Sequence, residues 1–253
     1  MLRTRLIPTL LLLNESLVKT VRFGKFKYVG DPCNTVRIFN ELEVDELLFL
    51  DISSSRESCG VNLKLLEDIA NECFMPLGYG GGIRSLDQAK AVLELGFEKI
   101  AINSHAYSNP DLTEELVRHF GSQSVIASID VKRGLFGNQT VRTRGGRFDT
   151  HRDPVEWAKE LESRGVGEIL LTSIDREGTW DGFDLSLVNR VADSVSIPVI
   201  AHGGAGTIKH IEEVVNRAEA SAVALGSMVV FQKKGAGILV NFPEKRNLET
   251  SLL

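Results

Sequence analysis

Eight short apolar runs punctuate the chain, at residues 6–12, 46–52, 75–79, 99–103, 124–130, 168–173, 198–202 and 222–226. They are rich in Ile, Val and Leu rather than strictly alternating, the pattern of parallel strands covered on both faces. Segments of helical period lie between them, among them 86–95, 111–120, 154–164 and 185–195. Asp153 before Pro154 reads as an N-cap with proline at the first helical position, and Ser85 and Asp184 are further N-cap candidates. Eight strand–helix units in about 250 residues predict an α/β fold, the (β/α)8 TIM barrel. No linker or low-complexity stretch divides residues 1–253, so one domain is expected, with a polar tail from 243 that frays.

The second half repeats the first. YGGGIRS at 79–85 is echoed by HGGAGT at 202–207, and IAINS at 100–104 by VALGS at 223–227. Aligning Gly81 with Gly204 gives an offset of 204 − 81 = 123, and Ser104 with Ser227 gives 227 − 104 = 123. The first strands, IPTLLLL at 7–13 and IASIDVK at 126–132, align with an offset of 130 − 11 = 119. Half-barrels of about 1–122 and 123–242 follow, and an open doubly wound sheet has no reason to repeat at half length. The repeat fails at one place that matters: Asp130 ends its strand with a carboxylate, and its counterpart is Leu11.

Composition narrows the function classes. A net charge of −5 gives no global pull toward nucleic acid or an anionic membrane, so an anionic ligand needs a local site. Cys33, Cys59 and Cys73 are odd in number without CxxC spacing, which suggests neither a disulfide framework nor a thiolate metal site and fits a reducing cytoplasm. The apolar stretch 10–13 after Arg3 and Arg5 is too short for a signal peptide, and nothing approaches membrane-spanning length. The five histidines show no metal-ligand spacing, and neither metal nor cofactor is expected.

Glycine-rich turns follow strands 3 and 7, and small polar residues close strands 4 and 8. Such glycines can serve a tight bend alone. Here two copies stand in register with Asn103-Ser104 and Gly226-Ser227, so backbone N–H groups at Gly81, Gly82 and Gly204 are expected to help hold two well-separated anionic groups, such as phosphates. Active sites of such barrels lie at the C-terminal strand ends, where the acids are Asp51, Asp130, Asp175 and Glu177. Asp130 ends an apolar run; burial would raise its pKa and suit it to acid–base work, the alternative being a salt bridge to Lys132 or Arg133. Asp51 can support a ligand or anchor a loop. Lys19, in the loop after strand 1, can meet a phosphate or stay solvated. His202 ends strand 7.

VDELLFLDI (44–52), YGGGI (79–83), IAINS (100–104), ASIDVKR (127–133), GEILLTSIDREGT (167–179) and HGGAG (202–206) together resemble the cyclase subunit of imidazole glycerol phosphate synthase, of histidine biosynthesis, over nearly the whole chain. The resemblance implies a glutaminase partner at the N-terminal face of the barrel. It implies ammonia passing through the barrel to a bisphosphate ribulosyl nucleotide at the mouth, where cyclisation and lyase chemistry follow. It also implies phosphate contact at Gly178 and an ammonia gate of Arg5, Glu46, Lys99 and Glu168. The family has a catalytic aspartate at each of two strand ends. Asp130 matches one, and Leu11 stands at the other; Leu13 replaces a family lysine, and Glu177 a family aspartate. Loss of one carboxylate of such a pair costs roughly 10²–10⁴ in rate. YVGDP (28–32) and the Leu-rich first strand resemble more closely the paralogues that accompany surface-polysaccharide genes, where the pair is held to feed ammonia to a separate sugar amidotransferase. Three readings follow: an ammonia-delivering subunit, a cyclase in which Asp51 or Glu177 substitutes, and a non-catalytic scaffold that activates a glutaminase.

Overall fold

The computed structural model describes residues 4–53, 60–134 and 137–243; Cys59 and the tail from 244 lie outside the described residues. In chain order, β1 (Arg5–Leu13) runs into a hairpin of β2 (Ser16–Lys19) and β3 (Lys27–Gly30), followed by α1 (Pro32–Glu41) and β4 (Leu47–Asp51). Then come α2 (Leu63–Glu72), β5 (Leu77–Gly80), α3 (Leu86–Glu94), β6 (Lys99–Ile102), α4 (Ser104–Ser108) and α5 (Pro110–Phe120). The second half holds β7 (Val125–Arg133), a hairpin of β8 (Gln139–Thr143) and β9 (Phe148–Asp149), α6 (Pro154–Ser163), β10 (Glu168–Ser173), α7 (Leu185–Ala192), β11 (Val199–His202), α8 (Ile208–Ala218) and β12 (Ala222–Leu225). Eight of these strands pair in parallel around a closed circuit, β1–β4–β5–β6–β7–β10–β11–β12 and back to β1. The fold is the predicted (β/α)8 barrel.

The helices start where side-chain acceptors meet their orphan N–H groups. Ser85 Oγ accepts from Gln88 N, Asp153 from Val155 N and Glu156 N, and Asp184 from Leu187 N, as the sequence predicts. Asp31, Asn62 and Thr207 cap three more helices in the same way. Among the described residues, no helix is long and apolar enough to cross a membrane.

The core has two concentric parts. The outer one lies between strands and helices. The inner one fills the barrel with Ile7, Leu48, Ala101, Ile126, Leu170, Ile200, Ala222 and Ala224. Three of these eight come from the first half and five from the second, and strand pairing follows the repeat. Ile7 pairs with Ala224 as Ile126 pairs with Ala101, which reproduces the offset of 126 − 7 = 119. Leu47 pairs with Leu77 as Ile169 pairs with Val199, an offset of 169 − 47 = 122.

That second register corrects the alignment of the glycine-rich turns. Sequence similarity pairs Gly81 with Gly204, but the structural counterpart of Gly81 is Gly203, and that of Gly82 is Gly204. Ser85 and Thr207, which cap the following helices with identical backbone angles (φ −147°, ψ 162°), stand 207 − 85 = 122 apart. The next strands recover 123, since Lys99 and Ala222 face equivalent partners. One extra residue therefore lies between Thr207 and Ala222, on the outside, where it does not disturb the mouth.

Two hairpins extend the barrel beyond the eight strands that the apolar runs predict. Both β1 and β7 continue past the barrel and pair antiparallel with β2 and β8. Lys19 consequently ends a strand rather than lying in a loop, and it is buried, not solvated.

Candidate active site at the barrel mouth

Period-two alternation continues from the inner core into the mouth. Above Ile126 stand Ser128 and Asp130; above Leu170, Thr172; above Ile200, His202; above Leu48, Leu50. All five of these upper residues line one cavity of about 220 Å³ at the C-terminal strand ends. Lys19, Asp51, Gly81, Gly82, Asn103, Ser104, Glu177, Gly178, Gly204, Gly226 and Ser227 line the same cavity. The predicted site residues at this end thus converge on one place. Asp175 does not: its carboxylate accepts from Arg133 N at 2.7 Å, tying the loop after β10 to the end of β7.

The half-buried acid Asp130 is not in a salt bridge with Lys132 or Arg133 in the described structure. Asp130 Oδ2 accepts from Asn103 Nδ2 at 3.1 Å, and the Thr172 hydroxyl, on the register partner of Asp130 in β10, is the second hydrogen-bonding group beside it. Burial pushes its carboxyl up to about 7; Glu177 reinforces this, while the two hydrogen bonds oppose it. An acid poised near neutrality is suited to general acid–base work. The same Asn103 nitrogen also donates to Ser128 O at 3.0 Å, so its amide is spent on the wall of the site rather than presented to a ligand.

Beside the acid lie two buried ionisable groups. Lys19 Nζ donates to the Thr9 carbonyl. Burial lowers the lysine to about 8, opposed by Glu177. His202 Nδ1 lies 3.1 Å from Thr172 Oγ1, and burial, then the neighbouring Lys19, lower the imidazole to about 3. The imidazole is therefore neutral throughout the physiological range. Glu177 is buried as well; its Oε2 accepts from Phe23 N at 3.1 Å and its carbonyl from Arg22 N at 3.0 Å, clasping the β2–β3 connection over the mouth. Asp51 Oδ1 accepts from Ser53 N at 2.8 Å and Oδ2 from Tyr79 Oη at 3.3 Å, which matches its loop-anchoring alternative while it still faces the cavity.

The glycine-rich turns approach backbone closely. A Cβ on Gly81 would stand 2.5 Å from the Asp51 carbonyl oxygen, and one on Gly203 would stand 2.7 Å from the Ser173 carbonyl oxygen. Both glycines have positive φ, 134° and 94°. Asp51 and Ser173 are themselves 173 − 51 = 122 apart, so the same tight turn is built twice. Gly203→Ala is expected to cost at least ~2 kcal/mol through clash and strain, read as a fall in thermal midpoint. A second cavity, bordered by Arg22, Lys25, Lys27, Asp181 and Lys234, shares Lys19, Thr20, Gly178 and Ser227 with the mouth.

At the opposite end, four charges close a ring. Arg5 reaches Glu46 at 2.8 Å and Glu168 at 2.7 Å, and Lys99 reaches the same two carboxylates at 3.3 and 3.2 Å. Cation and anion alternate around the four strand starts, with the apolar barrel interior above them.

A closed parallel barrel with an acid in the cavity at one end and a charged ring at the other places the chain in a known class. It belongs to the histidine biosynthesis protein family, whose model matches residues 5–234. It is 48% identical over 98% of its length, and 99% of the relative's, to a Pseudomonas aeruginosa protein provisionally named imidazole glycerol phosphate synthase subunit hisF2. It is 41% identical to a Vibrio vulnificus protein provisionally named subunit hisF3, covering 100% of this chain and 97% of the relative. Imidazole glycerol phosphate synthase subunit HisF of a Hydrogenobaculum species is 40% identical, with 100% of both chains covered.

Thr172 was missed by the sequence reading. The alternation of GEILLTS, which turns Leu170 inward and so Thr172 too, was available as its signal.

Proposed function

We propose that this chain is the barrel subunit of a glutamine amidotransferase pair. A partner glutaminase docks at the ring end and releases ammonia, which crosses the barrel and is used at or beyond the mouth to amidate a nucleotide-linked sugar of a surface polysaccharide. The relatives' names, which call them subunits, support the pairing. The interior supports the passage: a wall of Ile, Leu and Ala tolerates neutral ammonia but penalises a bare ammonium ion. Phosphate contacts from Gly81, Gly82, Ser104, Gly178, Gly204, Gly226 and Ser227 would seat an anionic ligand.

The observation that carries this reading over the family's cyclase reaction is Leu11. It pairs with Leu50 in the half-barrel register where Asp130 pairs with Thr172, and it lines the cavity as Asp130 does. Leucine neither gives nor takes a proton, so a two-carboxylate reaction lacks one of its groups. The test is the purified chain with its glutaminase. Glutamine hydrolysis without turnover of the bisphosphate ribulosyl nucleotide is the expected result, and robust turnover of that nucleotide overturns it.

The docking face gives a separate prediction. Phe74 lies between α2 and β5, at the ring end, and is 88% exposed. Large exposed aromatics are typical interface anchors. Phe74→Asp is expected to weaken glutaminase association by about 10- to 100-fold in a titration, while leaving the thermal midpoint of the isolated chain unchanged. Undiminished affinity would place the partner elsewhere.

A further inference from the structure

The mouth is built from two stripes of adjacent residues, one per half. Across β1, β4, β5 and β6 the register joins Leu11, Leu50, Gly80 and Ala101. Across β7, β10, β11 and β12 it joins Asp130, Thr172, His202 and Ala224. All eight line the cavity. They are the same positions of the repeat, so the floor has one hydrocarbon half and one hydrogen-bonded half. The repeat has lost an acid on one side and carries, on the other, a carboxyl, a hydroxyl and an imidazole in unbroken succession.

We propose that Asp130, Thr172 and His202 form one proton-handling unit confined to the second half-barrel, in which the Thr172 hydroxyl relays a proton between carboxyl and imidazole. His202 then supplies the acid–base group that Leu11 cannot. The far end of the relay is the slot at Gly226. A side-chain carbon there would stand 3.3 Å from Lys19 Nζ and 3.7 Å from His202 Nε2, so glycine keeps open the space beside both nitrogens. A ligand atom in that slot meets the imidazole edge.

The proton count closes without another reactant. The Asp130 O–H donates to Thr172 Oγ1, the Thr172 hydroxyl proton passes to His202 Nδ1, and the Nε2 proton leaves to the ligand atom at Gly226. Asp130 ends as carboxylate, Thr172 is restored, and the imidazole ends in its other tautomer. The reverse direction carries away the proton that an attacking amine must shed, a use that rests on the reading of the mouth as the place where ammonia reacts. Burial and Lys19, which keep the imidazole uncharged, favour this tautomer exchange over a charged intermediate. Glu177 and Lys19 are the charges that act on Asp130 and His202; Arg142, paired with Asp149, is the cross-strand partner of Asp130, and Asp51, Arg84, His105 and Arg147 line the same cavity.

The test needs neither partner nor substrate. With the full chain labelled with ¹⁵N-histidine, the His202 ring resonances are assigned by their loss in His202→Gln. While Asp130 is protonated, Thr172 donates to Nδ1 and the proton rests on Nε2. Once Asp130 ionises, Thr172 turns to the carboxylate, and Nδ1–H must donate to Thr172. The expected result is an exchange of the two ring-nitrogen resonances as pH rises through about 7, with no imidazolium signal. Thr172→Val and Asp130→Asn should each abolish the exchange, and Thr172→Ser should restore it. A tautomer that does not change with pH, or an exchange that survives Thr172→Val in folded protein, overturns the proposal. Either result leaves the glutaminase pairing untouched, because that is read by association and glutamine hydrolysis.

Discussion

Asp130→Asn is expected to reduce ammonia-dependent output of the complex by roughly 10²–10⁴-fold while leaving glutamine hydrolysis by the partner nearly unchanged. Asparagine keeps the shape and can still bond Thr172 and Asn103, so the loss reports proton transfer rather than collapse of the mouth. An unchanged output would favour the scaffold reading, in which the mouth has no chemistry. Stability should move the other way. The folded pKa of Asp130 lies at about 7, above the ordinary 3.8. A group raised in this way favours the fold fully below 3.8, and that contribution is gone once pH has risen through about 7. The asparagine variant does not titrate there. It should match the parent near pH 4 and exceed it by about 2–4 kcal/mol at pH 8, measured by denaturant unfolding at both pH values. Activity lost and alkaline stability gained in the same variant is the signature of a carboxyl held at a cost for its chemistry.

The barrel was legible because its strands are buried on both faces and read as continuous apolar runs, and because the helices begin at Ser85, Asp153 and Asp184, whose caps are local. The convergence of Asp130, Ser104, Gly204 and Ser227 on one mouth was legible through the repeat. What escaped depends on long-range pairing. Lys19 reads as a loop lysine until β2 folds back on β1 and buries it. The match of Gly81 to Gly203 requires knowing that Leu77 and Val199 hold equivalent places, which sequence similarity at HGGAG obscures by one residue. Asn103 reads as a phosphate donor until its amide is found on Asp130. Thr172 looked like one more strand residue, because its role exists only where β7, β10 and β11 stand side by side. The two-fold repeat is thus a scaffold on which the halves have diverged: the turns at Gly81 and Gly203 keep the same geometry, while Leu11 and Asp130 do opposite things in it.

Lys99→Met is expected to destabilise the chain and to uncouple ammonia use from its production. In the ring each carboxylate has two cations, and each cation two carboxylates. Glu46 and Glu168 have side chains 6% and 13% exposed, so neither can rely on water when a partner is removed. Removing one partner of a buried pair costs about 3–5 kcal/mol; with Arg5 still bonded to both glutamates, about 2–3 kcal/mol is expected here, read from denaturant unfolding. Lys99→Met combined with Glu168→Gln should recover part of it, because the double change restores the balance of one cation to one anion. Stability alone does not separate a gate from four ordinary strand-end ion pairs. The coupling does. If the ring controls passage, Lys99→Met leaves glutamine hydrolysis intact while the amount of aminated product per glutamine falls, and external ammonium salts at raised pH restore it from the mouth side. If the ring is only a structural clasp, the variant lowers the unfolding midpoint and the ratio of product to glutamine stays at its parental value.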